Sequence, residues 1–401
     1  MNIAQYKKYA LWGIAGIAVL LIVGTLLYSL FFKQSTSGTN TGGIFPAGDT
    51  RTGANSTDRN GQSSSDSQNS GDNASLFQMH DRPVVSSVLF TRGADTYARF
   101  MEQGSGHVYE YDMKNRREYR ISNTSVPQIA EAFWSQDGTV VAFRYEDGGT
   151  LKTAVGELAT TTEERAFLKV HFLPEGIRSL ALSPDGKNVF YMISGSTLGN
   201  ASGIVSARDG SSPRIVFTSK LPRWFVSWPS TTSLLVSSPW SSTGGIAYRI
   251  DLKSGVQTPV FSTTGIFVGI TGGPHGELLV TDPSTNHIAT LSRTGVPEPE
   301  LAFSWPSQCS FSSGASSTAA CSYMPKAGVP IFAEWSRGEY DMEDNLMVFD
   351  FSSGLSLLAL SQDEIRDRVF DITNVTLSPD ASYASFKNRV DGLPWGVVVR
   401  R

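Results

Sequence analysis

The amino-acid sequence predicts an all-β protein: a β-propeller of four-stranded blades, with seven as the best-fitting blade number. The first observation is the stretch Leu180–Met192, LALSPDGKNVFYM, which is typical of a β-hairpin. Pro184 and Asp185 suit the centre of a type I turn, and Gly186 follows where positive φ is easiest. The second observation is that similar hairpins recur at intervals of about 40–48 residues, close to the length of a propeller blade, with one insertion that lengthens the last interval to about 65. Most of these hairpins are followed by a second one, which supplies the other two strands of a blade.

The N-terminal part of the chain has a different composition. Tyr9–Phe32 is an apolar run without a charged residue, longer than the roughly 20 residues that a transmembrane helix needs. Lys7 and Lys8 precede this run, whereas only Lys33 follows it closely, so the positive-inside rule places the N-terminus in the cytoplasm. We therefore expect residues 1–33 to form a cytoplasmic N-terminus and an uncleaved anchor helix. The expected localisation is the cell membrane, single-pass, with the propeller outside the cytoplasm.

The segment Gln34–Ser75 is of low complexity. Of its 42 residues, 27 are Ser, Thr, Gly or Asn, a composition that cannot bury enough apolar surface to fold. We expect residues 34–75 to be a flexible, disordered linker and residues 76–401 to be the propeller domain.

The last repeat of the propeller contains only three strands and ends at Trp395–Arg401. An open sheet edge is a liability that propellers avoid. Leu76–Pro83, or the strand after it, is therefore expected to donate the missing fourth strand and close the ring.

Three of the turns carry a shared signature: WSQDG at Trp134–Gly138, SPDG at Ser183–Gly186 and SPD at Ser378–Asp380. These motifs resemble the repeats of TolB-type, WD-repeat-like bacterial β-propellers, and the resemblance covers about residues 84–401. It implies the propeller architecture and a bacterial source. Because the motif occupies a structural turn, the resemblance implies nothing specific about activity.

Composition and motifs exclude several functions. The net charge of −4 argues against a nucleic-acid partner, which would require a basic face. The sequence contains no GxSxG, HExxH or Walker motif, so neither a cofactor nor a metal site is predicted. An acidic loop containing Glu339, Asp341, Glu343 and Asp344 has oxygen ligands that calcium would accept. A solvated acidic loop is the simpler interpretation, because the spacing matches no complete EF-hand.

Cys309 and Cys321 are the only two cysteines, and they flank a predicted hairpin symmetrically about Ala315. Residues directly opposed on two strands have Cβ atoms close enough for a disulfide. A disulfide is expected if the domain lies outside the cytoplasm. The alternative is a pair of buried free thiols.

Five of the eight tryptophans are predicted to share one face of the propeller. In a blade whose strands A to D run outward from the axis, the B–C and D–A loops meet at the same face. The tryptophans in these loops are Trp224, Trp240, Trp305, Trp335 and Trp395, and Arg223 and Arg337 lie beside two of them. This set is a candidate binding surface for a protein segment or a glycan, since Trp and Arg are favoured interface anchors. The alternative is that each tryptophan caps the core of its own blade.

The function predicted from the sequence is a membrane-tethered extracytoplasmic β-propeller. It would act as a non-catalytic protein-interaction scaffold at the bacterial envelope. A second hypothesis is a propeller glycoside hydrolase or lyase that acts on envelope polysaccharide. Carboxylates converging on the propeller axis would favour the enzyme, and an uncharged face rimmed by tryptophans would favour binding. A third hypothesis is a structural envelope protein without a specific ligand.

Overall fold

The computed structural model describes residues 75–159, 167–194, 200–265, 267–281, 288–290, 305–314, 317–324, 334–365 and 368–399. These residues form an all-β fold. Its helical parts are two 3-10 turns, Pro306–Gln308 and Gln362–Glu364, and one helical turn at 334–336.

The predicted membrane anchor is corrected. Tyr9–Phe32 and nearly all of the predicted linker lie outside the described residues, and among those described no helix is long and apolar enough to cross a membrane. The expectation rested on the hydropathy of this run and on its flanking lysines, and neither property establishes that a helix forms. The structure therefore supports neither the anchor helix preceding the propeller nor the single-pass membrane localisation, and both predictions are withdrawn. The division of the chain at residue 76 stays a prediction.

The described strands are arranged in chain order around the propeller. The N-terminal strand is β1 (Leu76–Gln78). Blade 1 comprises β2 (Val84–Arg92), β3 (Asp95–Glu102), β4 (Val108–Asp112) and β5 (Arg117–Arg120). Blade 2 comprises β6 (Ile129–Trp134), β7 (Val140–Asp147), β8 (Thr150–Ala159) and β9 (Phe167–Phe172). Blade 3 comprises β10 (Ile177–Leu182), β11 (Asn188–Ser194), β12 (Ala201–Ala207) and β13 (Arg214–Ser219).

The second half of the fold continues this pattern with one exception. Blade 4 comprises β14 (Phe225–Ser230), β15 (Ser233–Ser237), β16 (Gly245–Asp251) and β17 (Gln257–Thr263). A three-stranded sheet follows, formed by β18 (Ile270–Gly272), β19 (Leu278–Thr281) and β20 (Ile288–Thr290). Blade 5 comprises β21 (Cys309–Phe311), β22 (Thr318–Tyr323), β23 (Asn345–Asp350) and β24 (Leu355–Leu360). Blade 6 comprises β25 (Ile372–Leu377), β26 (Tyr383–Asn388), β27 (Pro394–Val398) and β1.

The prediction of seven four-stranded blades is therefore wrong. The described residues form six four-stranded blades, and the sheet between blades 4 and 5 has three strands. The hairpin expected to complete that sheet extends into residues 291–304, outside the described residues. Its second half carries Pro297 and Pro299, and proline cannot donate the backbone hydrogen bonds of a strand.

The predicted closure of the ring is confirmed. Strand β1 pairs antiparallel with β27, in a register that places Leu76 opposite Val397, Phe77 opposite Gly396 and Gln78 opposite Trp395. Gly396 is required there, because a Cβ atom at this position would lie 2.5 Å from the Phe77 ring. The first and last parts of the described chain thus complete one sheet, which leaves no gap between blades 6 and 1.

The signature turns have the same internal hydrogen bonds wherever the signature is kept. In blade 3, the Ser183 hydroxyl donates to Asp185 at 2.7 Å and accepts the N–H of Asn188 at 2.9 Å. Gly186 has a φ of 65° and donates its N–H to the carbonyl of Ser183. The serine and aspartate of this motif therefore satisfy backbone groups of the turn, which explains why the motif reports architecture and not activity.

The core consists of apolar side chains packed between adjacent blades. Phe143 and Met101 belong to the cluster between blades 1 and 2, and Phe190 and Leu234 to the cluster between blades 3 and 4. Because all strand pairs within the blades are antiparallel, the propeller has two distinct faces. We call the face with the A–B and C–D turns the turn face, and the face with the B–C and D–A loops the loop face.

Candidate functional site

All five candidate tryptophans belong to the loop face, but they differ in burial. Trp224 and Trp305 are buried, whereas Trp240, Trp335 and Trp395 are half-buried. The Trp224 indole packs edge-on against Phe217, with ring centroids 5.0 Å apart, and donates its N–H to the Ser219 hydroxyl. Trp224 therefore caps the core between blades 3 and 4.

Trp240, Trp305 and Trp335 lie in one hydrophobic cluster. Trp305 is fully buried, and the centroids of the Trp305 and Trp335 rings are 5.0 Å apart. Val268, Tyr323, Met324 and Met342 complete the cluster. It joins loops of blade 4, the three-stranded sheet and blade 5, so much of the surface of these tryptophans is used in packing.

Trp335 is also held by polar contacts with blade 6. Its indole N–H lies 2.9 and 3.0 Å from the two carboxylate oxygens of Asp371. The Arg389 guanidinium lies over the Trp335 ring at 4.7 Å, donates to the Trp335 carbonyl at 2.7 Å and contacts Asp371 at 3.3 Å. Arg389 also donates to the carbonyl of Tyr340. A cation over an indole ring is a favourable arrangement, and these contacts fix the B–C loop of blade 5 on blade 6.

Two buried carboxylates lie beneath this surface. Asp344 is buried, and its Oδ2 accepts the N–H of Ile372 at 2.8 Å. Its Oδ1 has no hydrogen-bond partner among the described residues. Burial raises the pKa of Asp344 well above its usual value, and the neighbouring charge of Asp371 raises it further. Burial also raises the pKa of Asp371, although its hydrogen bonds with Trp335, the Met342 N–H and Arg389 oppose that change.

Trp395 is held in a similar way by an arginine. The Arg368 guanidinium lies over the Trp395 ring at 4.8 Å and pairs with Asp391 at 2.9 Å. On its other side, Trp395 packs edge-on against the buried Phe370, at 5.1 Å. Both half-buried tryptophans of blades 5 and 6 therefore carry an arginine on one ring face, and this pairing orients the arginine at the surface.

Three exposed apolar side chains surround these pairs. The exposed fractions are 44% for Tyr340, 43% for Val369 and 53% for Val390. Their loops are linked to one another: Asn388 donates to the Val369 carbonyl, and Arg389 donates to the Tyr340 carbonyl. We call the surface formed by Tyr340, Val369, Val390, Arg368 and Arg389 the blade 5–6 patch.

The two predicted arginines lie elsewhere on the loop face. Arg223 is exposed in the D–A loop before blade 4, and its guanidinium lies 5.6 Å from the centroid of the Phe225 ring. Leu221 and Phe225 are exposed beside it. Arg337 forms a bidentate pair with Glu339 at 2.6 and 2.7 Å. Arg337 thus lies in the same loop as Trp335, whereas Arg223 belongs to a separate exposed apolar site.

The acidic loop does not gather its carboxylates. Glu339 pairs with Arg337, whereas Asp344 points into the core toward Ile372. Among the described residues, no group of three or more His, Cys, Asp or Glu side chains is placed to hold a metal ion.

Cys309 and Cys321 are directly opposed partners in the register of β21 and β22. Their sulfur atoms are bonded as a disulfide, and their Cα atoms are 4.1 Å apart. The disulfide joins the two innermost strands of blade 5. By closing the loop between these strands, the disulfide has a structural role.

The axial channel contains a cavity of about 300 Å³ near the turn face. Its lining comes from the innermost strands of blades 1, 2, 4, 5 and 6 and of the three-stranded sheet. Hydroxyl and apolar side chains and the amide of Gln136 line the cavity, and no Asp, Glu, His, Lys or Arg is among the described residues that do so. The carboxylates that a glycoside hydrolase requires are therefore not supplied by this lining.

The sequence analysis missed Asp371, Arg389, Tyr340 and Val390. Arg389 and Asp371 act through a contact with Trp335, more than thirty positions away in the chain. No short sequence motif predicts such a long-range contact. The one available signal was the apolar–basic composition of the NRVDG loop at 388–392, which follows a strand and belongs to the same face as Trp335.

Comparison with known proteins identifies the fold alone. No protein-family model and no curated protein matches the chain. The structure is similar to the β-propeller domain of Cps50 (Swd1) from Myceliophteria thermophila, with a TM-score of 0.51 and 12% identity over 81% of this chain and 100% of that one. It also matches virginiamycin B lyase from Staphylococcus aureus, with a TM-score of 0.49 and 13% identity over 81% and 98% of the two chains. The second likeness is too weak to carry an argument, and the first supports the β-propeller fold.

Proposed function

We propose that this protein is a non-catalytic interaction scaffold that binds a protein partner through the blade 5–6 patch. One observation carries the proposal: Tyr340, Val369 and Val390 expose apolar side chains from three loops that Asp371 and Arg389 lock together. Tyrosine and arginine are enriched at interface hot spots, and neighbouring exposed apolar side chains are typical of interaction surfaces. Because the loops are already ordered by their hydrogen bonds, a partner would find a preorganised surface.

Within this proposal the tryptophans have different roles. Trp335 and Trp395 form the base of the patch and hold the arginines, and Trp224, Trp240 and Trp305 support the loops from the core. Arg337 lies at the rim, paired with Glu339. The exposed site at Arg223 and Phe225 is a secondary contact on the same face.

The uncharged axial cavity supports binding over the alternative of polysaccharide cleavage. A glycosidase of the usual type needs two carboxylates on either side of the scissile bond, and the cavity lining offers none. The resemblance of the turns to TolB-type propellers is compatible with a scaffold and does not identify the partner. A glycan is a different class of ligand from a protein segment.

The proposal is tested by site-specific photo-crosslinking in native cell extract. A Tyr340→p-benzoylphenylalanine variant is compared with a Val256→p-benzoylphenylalanine variant, because Val256 is 58% exposed on the turn face. We expect the probe at position 340 to give one defined adduct, identified by mass spectrometry, and the probe at 256 to give none. Adding Val390→Glu should abolish the adduct and leave the melting temperature unchanged. Equal adducts from both probes, no adduct at 340, or an adduct insensitive to Val390→Glu would contradict the proposal.

A further inference from the structure

The lining of the axial cavity combines hydroxyl side chains with apolar surface. Five consecutive sheets each contribute a hydroxyl from the innermost strand, a set that we call the hydroxyl arc: Ser87, Ser227, Thr271, Ser310 and Thr376. Gln136 of blade 2 adds an amide group. Apolar side chains come from both sides of the cavity: Val88, Leu89, Trp134, Trp228, Phe311 and Leu377. A ligand in the cavity would therefore meet hydroxyls and apolar surface together.

The hydroxyl arc follows from the register of the blades. In each of three sheets, one backbone N–H closes the A–B turn, and it belongs to Gly273, Ser312 or Ser378. The residue two positions earlier carries the hydroxyl, and these residues are Thr271, Ser310 and Thr376 respectively. In blades 2 and 3, Phe133 and Ala181 occupy the equivalent position before Ser135 and Ser183. The hydroxyl at this position is thus a feature of these three sheets, whereas Phe133 and Ala181 do not line the cavity.

Part of this hydroxyl arc is available to a ligand. Thr271 donates to the Pro306 carbonyl, and Thr376 shares a hydrogen bond of 2.6 Å with Ser385. Ser227 and Ser310 are half-exposed although they lie on innermost strands, and their hydroxyls have no hydrogen-bond partner among the described residues. Each hydroxyl can donate one hydrogen bond and accept two, so Ser227 and Ser310 offer both kinds of contact to the cavity.

The chemistry of the walls selects the ligand. A charged ligand would lose its hydration without gaining a countercharge, because the described lining is uncharged. A sugar ring or cyclic polyol has an apolar C–H face, which packs on an indole or an aliphatic side chain, and a rim of hydroxyls, which bond to serine and threonine. The volume of about 300 Å³ is at the lower end of the range for small-molecule sites. We propose that the cavity at the turn face binds a neutral sugar or cyclic polyol.

This inference concerns a site other than the proposed protein-binding patch, because the cavity opens toward the turn face and the patch lies on the loop face. The test uses saturation-transfer difference NMR of the intact protein with glucose, galactose, mannose, N-acetylglucosamine and myo-inositol, each at millimolar concentration. A Ser227→Ala/Ser310→Ala double variant is compared with the wild type. The control is Ser254→Ala, an exposed turn serine of blade 4 outside the cavity.

We expect at least one of the five compounds to give a saturation-transfer signal with the wild type and the control. In the double variant its affinity should fall by about fivefold or more, since two hydrogen bonds to the ligand are lost. The melting temperature of all three proteins is measured first, so that loss of signal is not confused with loss of fold. Absence of signal from all five compounds, or equal affinity in the double variant, overturns the inference. The Val390→Glu variant should bind the same compound unchanged, which separates this result from the crosslinking result.

Discussion

The indole N–H of Trp335 in blade 5 lies 2.9 and 3.0 Å from the two carboxylate oxygens of Asp371 at the start of blade 6. Asp371 is fully buried and also contacts Arg389, whose guanidinium covers the Trp335 ring. One buried carboxylate therefore satisfies an indole and a guanidinium from two different loops. The position of the blade 5–6 patch depends on it.

The first prediction concerns this carboxylate. Asp371→Ala should lower the free energy of unfolding by about 3–5 kcal/mol, because it removes the buried carboxylate that accepts from both the Trp335 N–H and the Arg389 guanidinium. Chemical denaturation with urea measures the change. The matched control is Glu339→Ala, which removes an exposed ion pair with Arg337 and should leave the unfolding midpoint unchanged. A similar, small effect of both substitutions would show that the network does not hold the loops.

The second prediction concerns pH. The pKa of Asp344 is raised well above its usual 3.8, so the folded protein binds a proton more tightly than the unfolded chain does. The stabilisation is therefore complete below the unfolded pKa and is lost as the pH rises through the folded pKa. Asp344→Asn cannot titrate, so the variant should lose less stability than the wild type over the range that begins near the unfolded pKa, at about pH 4, and extends upward. Urea unfolding across this range measures the difference, and parallel curves for the two proteins would contradict the assignment.

The third prediction concerns the signature turns. Gly186 and Gly93 both have positive φ, 65° and 63°, so alanine is strained at either position by about 1 kcal/mol. A Cβ at Gly186 would also lie 2.9 Å from a methyl group of Val140 in blade 2, whereas a Cβ at Gly93 would meet nothing within 4 Å. Gly186→Ala should therefore destabilise the protein more than Gly93→Ala. Equal shifts in the thermal midpoint would mean that the turn does not pack on its neighbour.

The fourth prediction concerns the disulfide. Cys309 and Cys321 are separated by 12 residues, and closing a loop of that size stabilises the folded state by about 3 kcal/mol in the chain-entropy model. Adding a reductant should lower the thermal midpoint of the wild type accordingly. A Cys309→Ser/Cys321→Ser double variant should have the lower midpoint with or without the reductant. A wild-type midpoint that ignores the reductant would argue against the bond in solution.

Local features of the fold and the closure of the ring could be predicted from the sequence, whereas individual long-range side-chain contacts could not. Pro184, Asp185 and Gly186 specify a turn by their own backbone preferences, so the blade repeat was visible without a structure. The shared face of the five tryptophans followed from chain order within a blade. The pairing of Arg389 with Trp335 joins residues 54 positions apart, and no periodicity encodes such a contact. The three-stranded sheet was also missed, because a spacing of repeats does not report whether each one completes four strands.

The last prediction concerns ring closure, where the anchor is a single side chain. Phe77 on β1 is buried, stacks on Tyr111 at 5.9 Å and packs against Gly396 of β27. Phe77→Ala leaves a cavity between blades 6 and 1 and should lower the free energy of unfolding by about 3–5 kcal/mol. Phe225→Ala is the control, because the Phe225 ring is 44% exposed on the loop face and should be removed at little cost. Urea denaturation measures the stability of both variants. β1 is the outermost strand of the sheet that joins the two ends of the described chain, and it pairs with β27. Hydrogen exchange should therefore show β27 losing protection first in Phe77→Ala. If β27 keeps its protection while the global stability falls, Phe77 fills the core without holding the ring closed.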